Sequence, residues 1–137
     1  MDLKNLLPNN QKKLYGYNNE FTELVKLYKN KKLPSKIFLT GPKGIGKATM
    51  AYHLINYIFS SKEEYQYDLS NLEINNLNKS YKLLLNNTHP NFHLVDIMKD
   101  KKVIEISQIR QMINYCTKST FNNNERIILI DNVENLN

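Results

Sequence analysis

Between positions 41 and 47 the chain reads Gly41-Pro42-Lys43-Gly44-Ile45-Gly46-Lys47, three glycines closing on a lysine. Glycine turns freely through conformations closed to other residues, so successive backbone N–H groups can curl around an anion. A lysine ending such a run reaches the outer oxygens of a polyphosphate. The spacing G-x-x-x-x-G-K therefore specifies a phosphate cradle. Its candidate binding residues are Gly41, Gly44, Gly46 and Lys47, with Thr49 beside them. Turnover of a bound nucleotide asks for more. A hydroxyl directly after the lysine holds the magnesium ion that rides on the phosphates. Here that residue is Ala48. Thr49 comes one position late, about 100° around a helix, and does not reach the same point.

The other half of such a site is an acidic residue ending a buried apolar strand. Ile127-Ile128-Leu129-Ile130-Asp131 supplies it, with Asp131 as the candidate second acidic residue. The next residue is Asn132, whose amide can hold a water but cannot take its proton. Glu134 lies two residues further on and is expected to point away. The cradle is thus kept while both features that drive hydrolysis are altered. No catalytic residue is assigned. Weak binding of ATP or phosphate is expected, with magnesium disfavoured by Ala48 and no cofactor firmly implied.

These residues need elements to place them. Phe21, Leu24, Val25 and Tyr28 recur at helical spacing, with Asn18 or Asn19 as cap and Pro34 closing the segment. The stretch before them, Met1 to Tyr17, is polar and loop-like around Pro8-Asn9-Asn10. Ile37-Phe38-Leu39-Thr40 reads as a short buried strand running straight into the glycine loop. A helix follows, with Ala51, Ile55 and Ile58 on one face. Phe92 to Asp96 is a second strand, and Arg126 to Asp131 a third. Between them lies a helix capped by Ser107, with Ile109, Met112, Ile113 and Cys116 on its apolar face. Strands alternating with helices predict an α/β fold with a parallel sheet. Ser60 to Thr88 is asparagine-rich, its apolar residues thinly spread. It reads as an insertion, mobile apart from one helix near Asn78 to Asn86, and most easily cut by proteases between Asn71 and Asn78.

At 137 residues, 41% hydrophobic and 23% charged, the chain has the make-up of a soluble globular domain. No apolar run approaches the ~18 residues of a membrane span, and the first residues lack a secretory signal. The expected compartment is the cytoplasm. Cys116 is the sole cysteine, which excludes an internal disulfide and a cysteine-built zinc site. The formal net charge of +6 favours an anionic partner, although the lysines are scattered and form no single stripe.

Leu14-Tyr15-Gly16-Tyr17, Lys32-Leu33-Pro34, the run from Gly41 through Tyr52, His89-Pro90-Asn91, Ile106 to Arg110 and Ile130-Asp131 follow one another in a recognisable order. That ordered set resembles the delta-prime subunits of the bacterial DNA polymerase III clamp loader. The likeness is greatest to the alphaproteobacterial type, where the loop lysine is also followed by Ala-Thr. It covers nearly the whole chain except Ser60 to Thr88. It implies a P-loop NTPase (AAA+) domain, a three-layer α/β/α parallel sheet with strand order 5-1-4-3-2. Residues 1–137 would be its amino-terminal part, incomplete at the C-terminal side, with 60–88 an insertion within it. The implied partners are the other subunits of a hetero-pentamer, the sliding clamp and primed DNA, with no membrane. The implied role is a stator rather than a motor, within the polymerase III holoenzyme. In hydrolysing AAA+ relatives a glutamate stands where this chain has Asn132. Many relatives carry a four-cysteine zinc module in the region of 60–88, which here has no cysteine, so no zinc is expected. Ser35 stands where the resemblance calls for histidine. The rival reading is an active AAA+ ATPase of the same fold, a loader motor subunit or a helicase loader. Positions 48 and 132 speak against it.

Smaller signals remain. Arg110, in the first turn of its helix, is a candidate contact to the DNA backbone, with a solvated surface arginine as the plainer reading. His89 and His93 have no third ligand nearby and read as strand and turn residues rather than a metal site. Cys116 reads as a small core residue. Tyr65, Tyr67 and Tyr81 among lysines fit the composition of a nucleic-acid surface, but their spacing matches no stacking platform.

Overall fold

The computed structural model describes residues 6–119 and 125–136, so the expected amino-terminal loop begins outside the described residues. The chain forms two compact units, Met1–Leu85 and Asn86–Asn137. The described residues give a mixed α/β fold with four α-helices and a short parallel sheet, the class expected from alternating strands and helices.

In the first unit, α1 spans Asn18–Lys29 and buries Phe21 and Val25. Asn18 is its first helical residue and not its cap; Tyr17 holds the cap position. The helix stops well before Pro34. Lys31 turns left-handed at φ 57°, its N–H bonds Tyr28 O at 3.0 Å, and Lys32 N–H bonds Leu27 O at 2.8 Å. These two bonds satisfy the last carbonyls, so the helix ends by its own turn rather than by proline.

Helix α2, Lys47–Ser60, is the hub of the unit. It buries Met50, Tyr52, His53, Leu54, Ile55, Asn56, Ile58 and Ser60, residues on every side of the cylinder. A helix buried all round is a core helix, not an amphipathic surface one. Its polar members are satisfied internally. Asn56 and Asn78 exchange amide hydrogen bonds at 3.1 Å in both directions, and Ser60 Oγ accepts the Tyr67 N–H at 3.1 Å.

The asparagine-rich segment corrects an expectation. It is folded onto α2, not thinly packed, and buries Tyr67, Ile74, Asn78, Ser80, Tyr81 and Leu84. It zips onto the start of the chain through Ile74 N–H to Lys12 O at 2.7 Å and Leu14 N–H to Leu72 O at 3.0 Å. The short helix α3, Lys79–Leu85, lies where one was expected. Asn78 caps it by accepting the Tyr81 N–H at 2.7 Å, and the Glu63 carboxylate accepts the Lys79 N–H at 2.6 Å. Outside α3 the segment lacks periodicity because Tyr67, Ile74 and Asn78 are buried from irregular chain and a cap, not from one regular face.

A second correction concerns Ile37-Phe38-Leu39-Thr40. This stretch joins no sheet among the described residues, and Phe38 is 72% exposed. An apolar run becomes a strand only when a neighbour accepts its hydrogen bonds, and no described neighbour does so here.

In the second unit β1 (Phe92–Val95) and β2 (Ile127–Ile130) pair in parallel, Phe92 facing Ile127 and Val95 facing Ile130. Their adjacency is the one implied by the 5-1-4-3-2 order. Helix α4, Ile106–Cys116, connects them in sequence and buries no residue. Glu105, not Ser107, is its cap. Glu105 and Gln108 form a reciprocal capping box, which satisfies two orphan amides at once. Cys116, expected in the core, is exposed. No helix among the described residues is long and apolar enough to cross a membrane.

Candidate phosphate-binding site

The loop residues Gly41, Gly44, Gly46, Lys47 and Thr49 lie in the first unit; Asp131 and Arg110 lie in the second.

The loop takes the shape its glycines permit. Gly41, Gly44 and Gly46 have φ of 149°, 81° and 89°. Gly46 is the cap of α2 and turns left-handed, and Lys47 and Thr49 fall in the first turn. A Cβ on Gly41 would meet the movable end of the Ile45 side chain, Cδ1 at 2.5 Å, so it is the backbone angle of 149° that favours glycine there. Lys47 reaches back and donates from Nζ to the Gly41 carbonyl at 2.6 Å, closing the loop across its mouth. From the side, the Tyr17 hydroxyl donates to the Ile45 carbonyl. Among the described residues no side chain caps α2, so its first N–H groups keep the donor capacity and positive potential of a free helix start. Beside the loop is a cleft of about 290 Å³ bordered by Tyr17, Glu20, Leu24, Phe38, Lys47 and Met50 among others.

In the second unit each strand is followed directly by an aspartate, Asp96 or Asp131. Asp131 is half-buried, its N–H bonds Val95 O at 2.9 Å, and its Oδ1 accepts the Asn132 N–H at 2.9 Å. Asn132 turns left-handed at φ 54° and donates from Nδ2 to Asp96 Oδ1 at 2.7 Å. Asp96 also accepts the Ile97 N–H at 2.7 Å, and its carbonyl accepts Gln108 Nε2 at 2.6 Å. Asp96 thus ties the end of β1 to α4 and to the turn after β2. Sequence reading gave it no role, although an aspartate ending an apolar strand is the same signal that marked Asp131. Tyr17 had no comparable signal, since its partner is 28 residues away.

The remaining candidates are placed as follows. Arg110 is exposed, the fifth residue of α4, since that helix begins one residue before Ser107. His89 Nδ1 accepts the Asn91 N–H at 3.1 Å, and His93 stacks on Tyr115 at 4.9 Å between centroids. Burial holds the His93 imidazole below its usual range. Tyr67 and Tyr81 are core residues whose hydroxyls bond His53 and Asn10, which removes them from any surface platform. Among the described residues no group of three or more His, Cys, Asp or Glu is placed to hold a metal ion.

A family model described as DNA polymerase III, delta subunit, matches residues 16–137, a span that includes the loop, Asp96 and Asp131. No curated protein matches the chain.

Proposed function

Because the chain belongs to the DNA polymerase III delta-subunit family, we propose that it serves the clamp loader as a delta-prime-type stator that does not hydrolyse ATP. In this reading residues 1–137 belong to an AAA+ domain, with 60–88 inserted in it. The protein acts in the cytoplasm within a hetero-pentamer that sets the sliding clamp on primed DNA. Gly41, Gly44, Gly46, Lys47 and Thr49 form a degenerate phosphate site, Asp131 is the second acidic motif, and Arg110 is a contact to the DNA backbone. Phosphate or ATP is held weakly, without zinc and with no magnesium ligand at position 48.

The observation that carries the reading is the state of Asn132. The residue following Asp131 is an amide, and its Nδ2 is already committed to Asp96 at 2.7 Å. It has no proton-accepting group for an attacking water, and loss of such a base typically lowers a rate by about 10²–10⁴-fold. Ala48 acts in the same direction, because metal stabilisation of a transferring phosphate is worth several kcal/mol. The two losses fall on one transition state and need not add.

The test is ATP turnover by the full-length subunit, alone and with its loader partners carrying disabled phosphate loops. Negligible turnover is expected. Turnover that Lys47→Ala abolishes would overturn the stator reading in favour of an active ATPase.

A further inference from the structure

The phosphate loop is held by a residue outside its own sequence pattern. Tyr17 stands at the cap of α1, and its hydroxyl donates to the carbonyl of Ile45. Its ring lies against the next residue, with Cε2 3.5 Å from where a Cβ on Gly46 would stand. The Ile45–Gly46 peptide is trans, as are all the described peptides. In a trans peptide the C=O and the following N–H point in opposite directions. Anchoring the Ile45 carbonyl on the Tyr17 hydroxyl therefore turns the Gly46 N–H away from that hydroxyl.

That N–H has a particular place. Gly46 is the last residue before α2, and its carbonyl accepts the first helical bond, from Met50 N–H at 3.0 Å. Its own N–H precedes the free amides of the first helical turn and sits one residue from Lys47. At φ 89° the residue is glycine, so no side chain restrains the peptide before it. The restraint has to come from elsewhere, and Tyr17 supplies it.

We propose that Tyr17 is a positioning residue of the phosphate loop, its hydroxyl fixing the Ile45–Gly46 peptide so that the Gly46 N–H is presented to a phosphate oxygen. The inference rests on the phosphate-binding reading of the loop and adds the residue that orients it. Without the hydroxyl the peptide is free to rotate, and the amide is ordered only as the anion binds. The loss is comparable to that of one hydrogen bond, about tenfold in affinity.

The experiment uses the full-length subunit and inorganic pyrophosphate, without magnesium, in wild type, Tyr17→Phe and Lys47→Ala. Affinity is read by calorimetry, and the Gly46 amide proton by NMR on ¹⁵N-labelled protein. Wild type is expected to bind weakly, with a downfield shift of the Gly46 amide proton. Tyr17→Phe is expected to bind about tenfold more weakly and to lose most of that shift, with amides outside the loop unmoved. Phenylalanine keeps the ring against Gly46, so the change isolates the hydroxyl. Undiminished or tighter binding by Tyr17→Phe, with Lys47→Ala still deficient, overturns the positioning role and leaves the phosphate reading intact. Absence of pyrophosphate binding in wild type overturns both. Spectral changes throughout the first unit in Tyr17→Phe would assign the residue to the fold and also overturn the proposal.

Discussion

Helices α2 and α4 solve opposite problems. Both carry apolar residues at helical spacing, and each follows a segment with special turn chemistry. Helix α2 buries eight residues, including His53, Asn56 and Ser60, while α4 buries none. The first is held along its length and has to satisfy polar groups in the dark. His53 is the sharpest case. Its Nε2 donates to Gln11 O at 2.7 Å, so Nδ1 accepts from the Tyr67 hydroxyl, also at 2.7 Å. Helix α4 is held by its ends: the capping box at Glu105, and Arg126, whose guanidinium donates to Cys116 O at 2.9 Å and to Lys118 O. The Arg126 guanidinium also lies over the Tyr115 ring at 4.6 Å. A helix buried all round resists local opening along its length, whereas one fixed only at its termini frays when a terminus is lost.

The largest contrast is expected from matched truncations. Ile55→Ala in α2 removes a side chain only 4% exposed and should cost about 2–5 kcal/mol. Ile113→Ala in α4 truncates one that is 55% exposed and should change stability by about 0.5 kcal/mol or less. Amide hydrogen exchange, read separately in each unit, makes the comparison. Equal losses would show that α4 is packed as tightly as α2.

A pH effect of intermediate size should appear in the first unit. Burial lowers the His53 pKa from 6.5 to about 4, opposed by the bond to the Gln11 carbonyl. Between those values the unfolded chain binds a proton that the folded form refuses. Stability is therefore full above pH 6.5 and declines as pH falls toward 4, by about 3 kcal/mol. Denaturant unfolding of the first unit, in wild type and His53→Gln, measures it as the difference in slope between pH 4 and 6.5. Parallel profiles for the two proteins would refute it.

Effects smaller than the Ile55 and pH losses should come from the ends of α4. Glu105→Ala and Arg126→Ala are each expected to cost about 1 kcal/mol, through a lost cap at one end and unpaired carbonyls at the other. Exchange should quicken in the first turn of α4 for Glu105→Ala and in the last turn for Arg126→Ala, with α2 amides unchanged. Faster exchange in α2 would mean that the two units unfold as one.

The amino-acid sequence by itself determined the features whose physics is local. The glycine loop needs only its spacing, because Gly41 and Gly46 adopt backbone angles that few other residues reach. Phe21 and Val25 declared their helix face by period, and β2 its strand by a continuous apolar run. Ala48 and Asn132 fixed the chemical argument by identity alone, since no fold restores a missing hydroxyl or carboxylate. Tertiary structure decided whatever depends on a distant partner. Ile37 to Thr40 has strand composition, yet strand pairing is a property of two segments, and no described neighbour accepts its bonds. Asparagines 56 and 78 gave no local signal because their role is mutual across 22 residues. Cys116 shares its helix face with Met112 and Ile113, but burial requires something to lie on that face, which periodicity does not report. Tyr17 meets Ile45 for the same reason: a hydrogen bond between residues 28 apart exists only once the chain between them has folded.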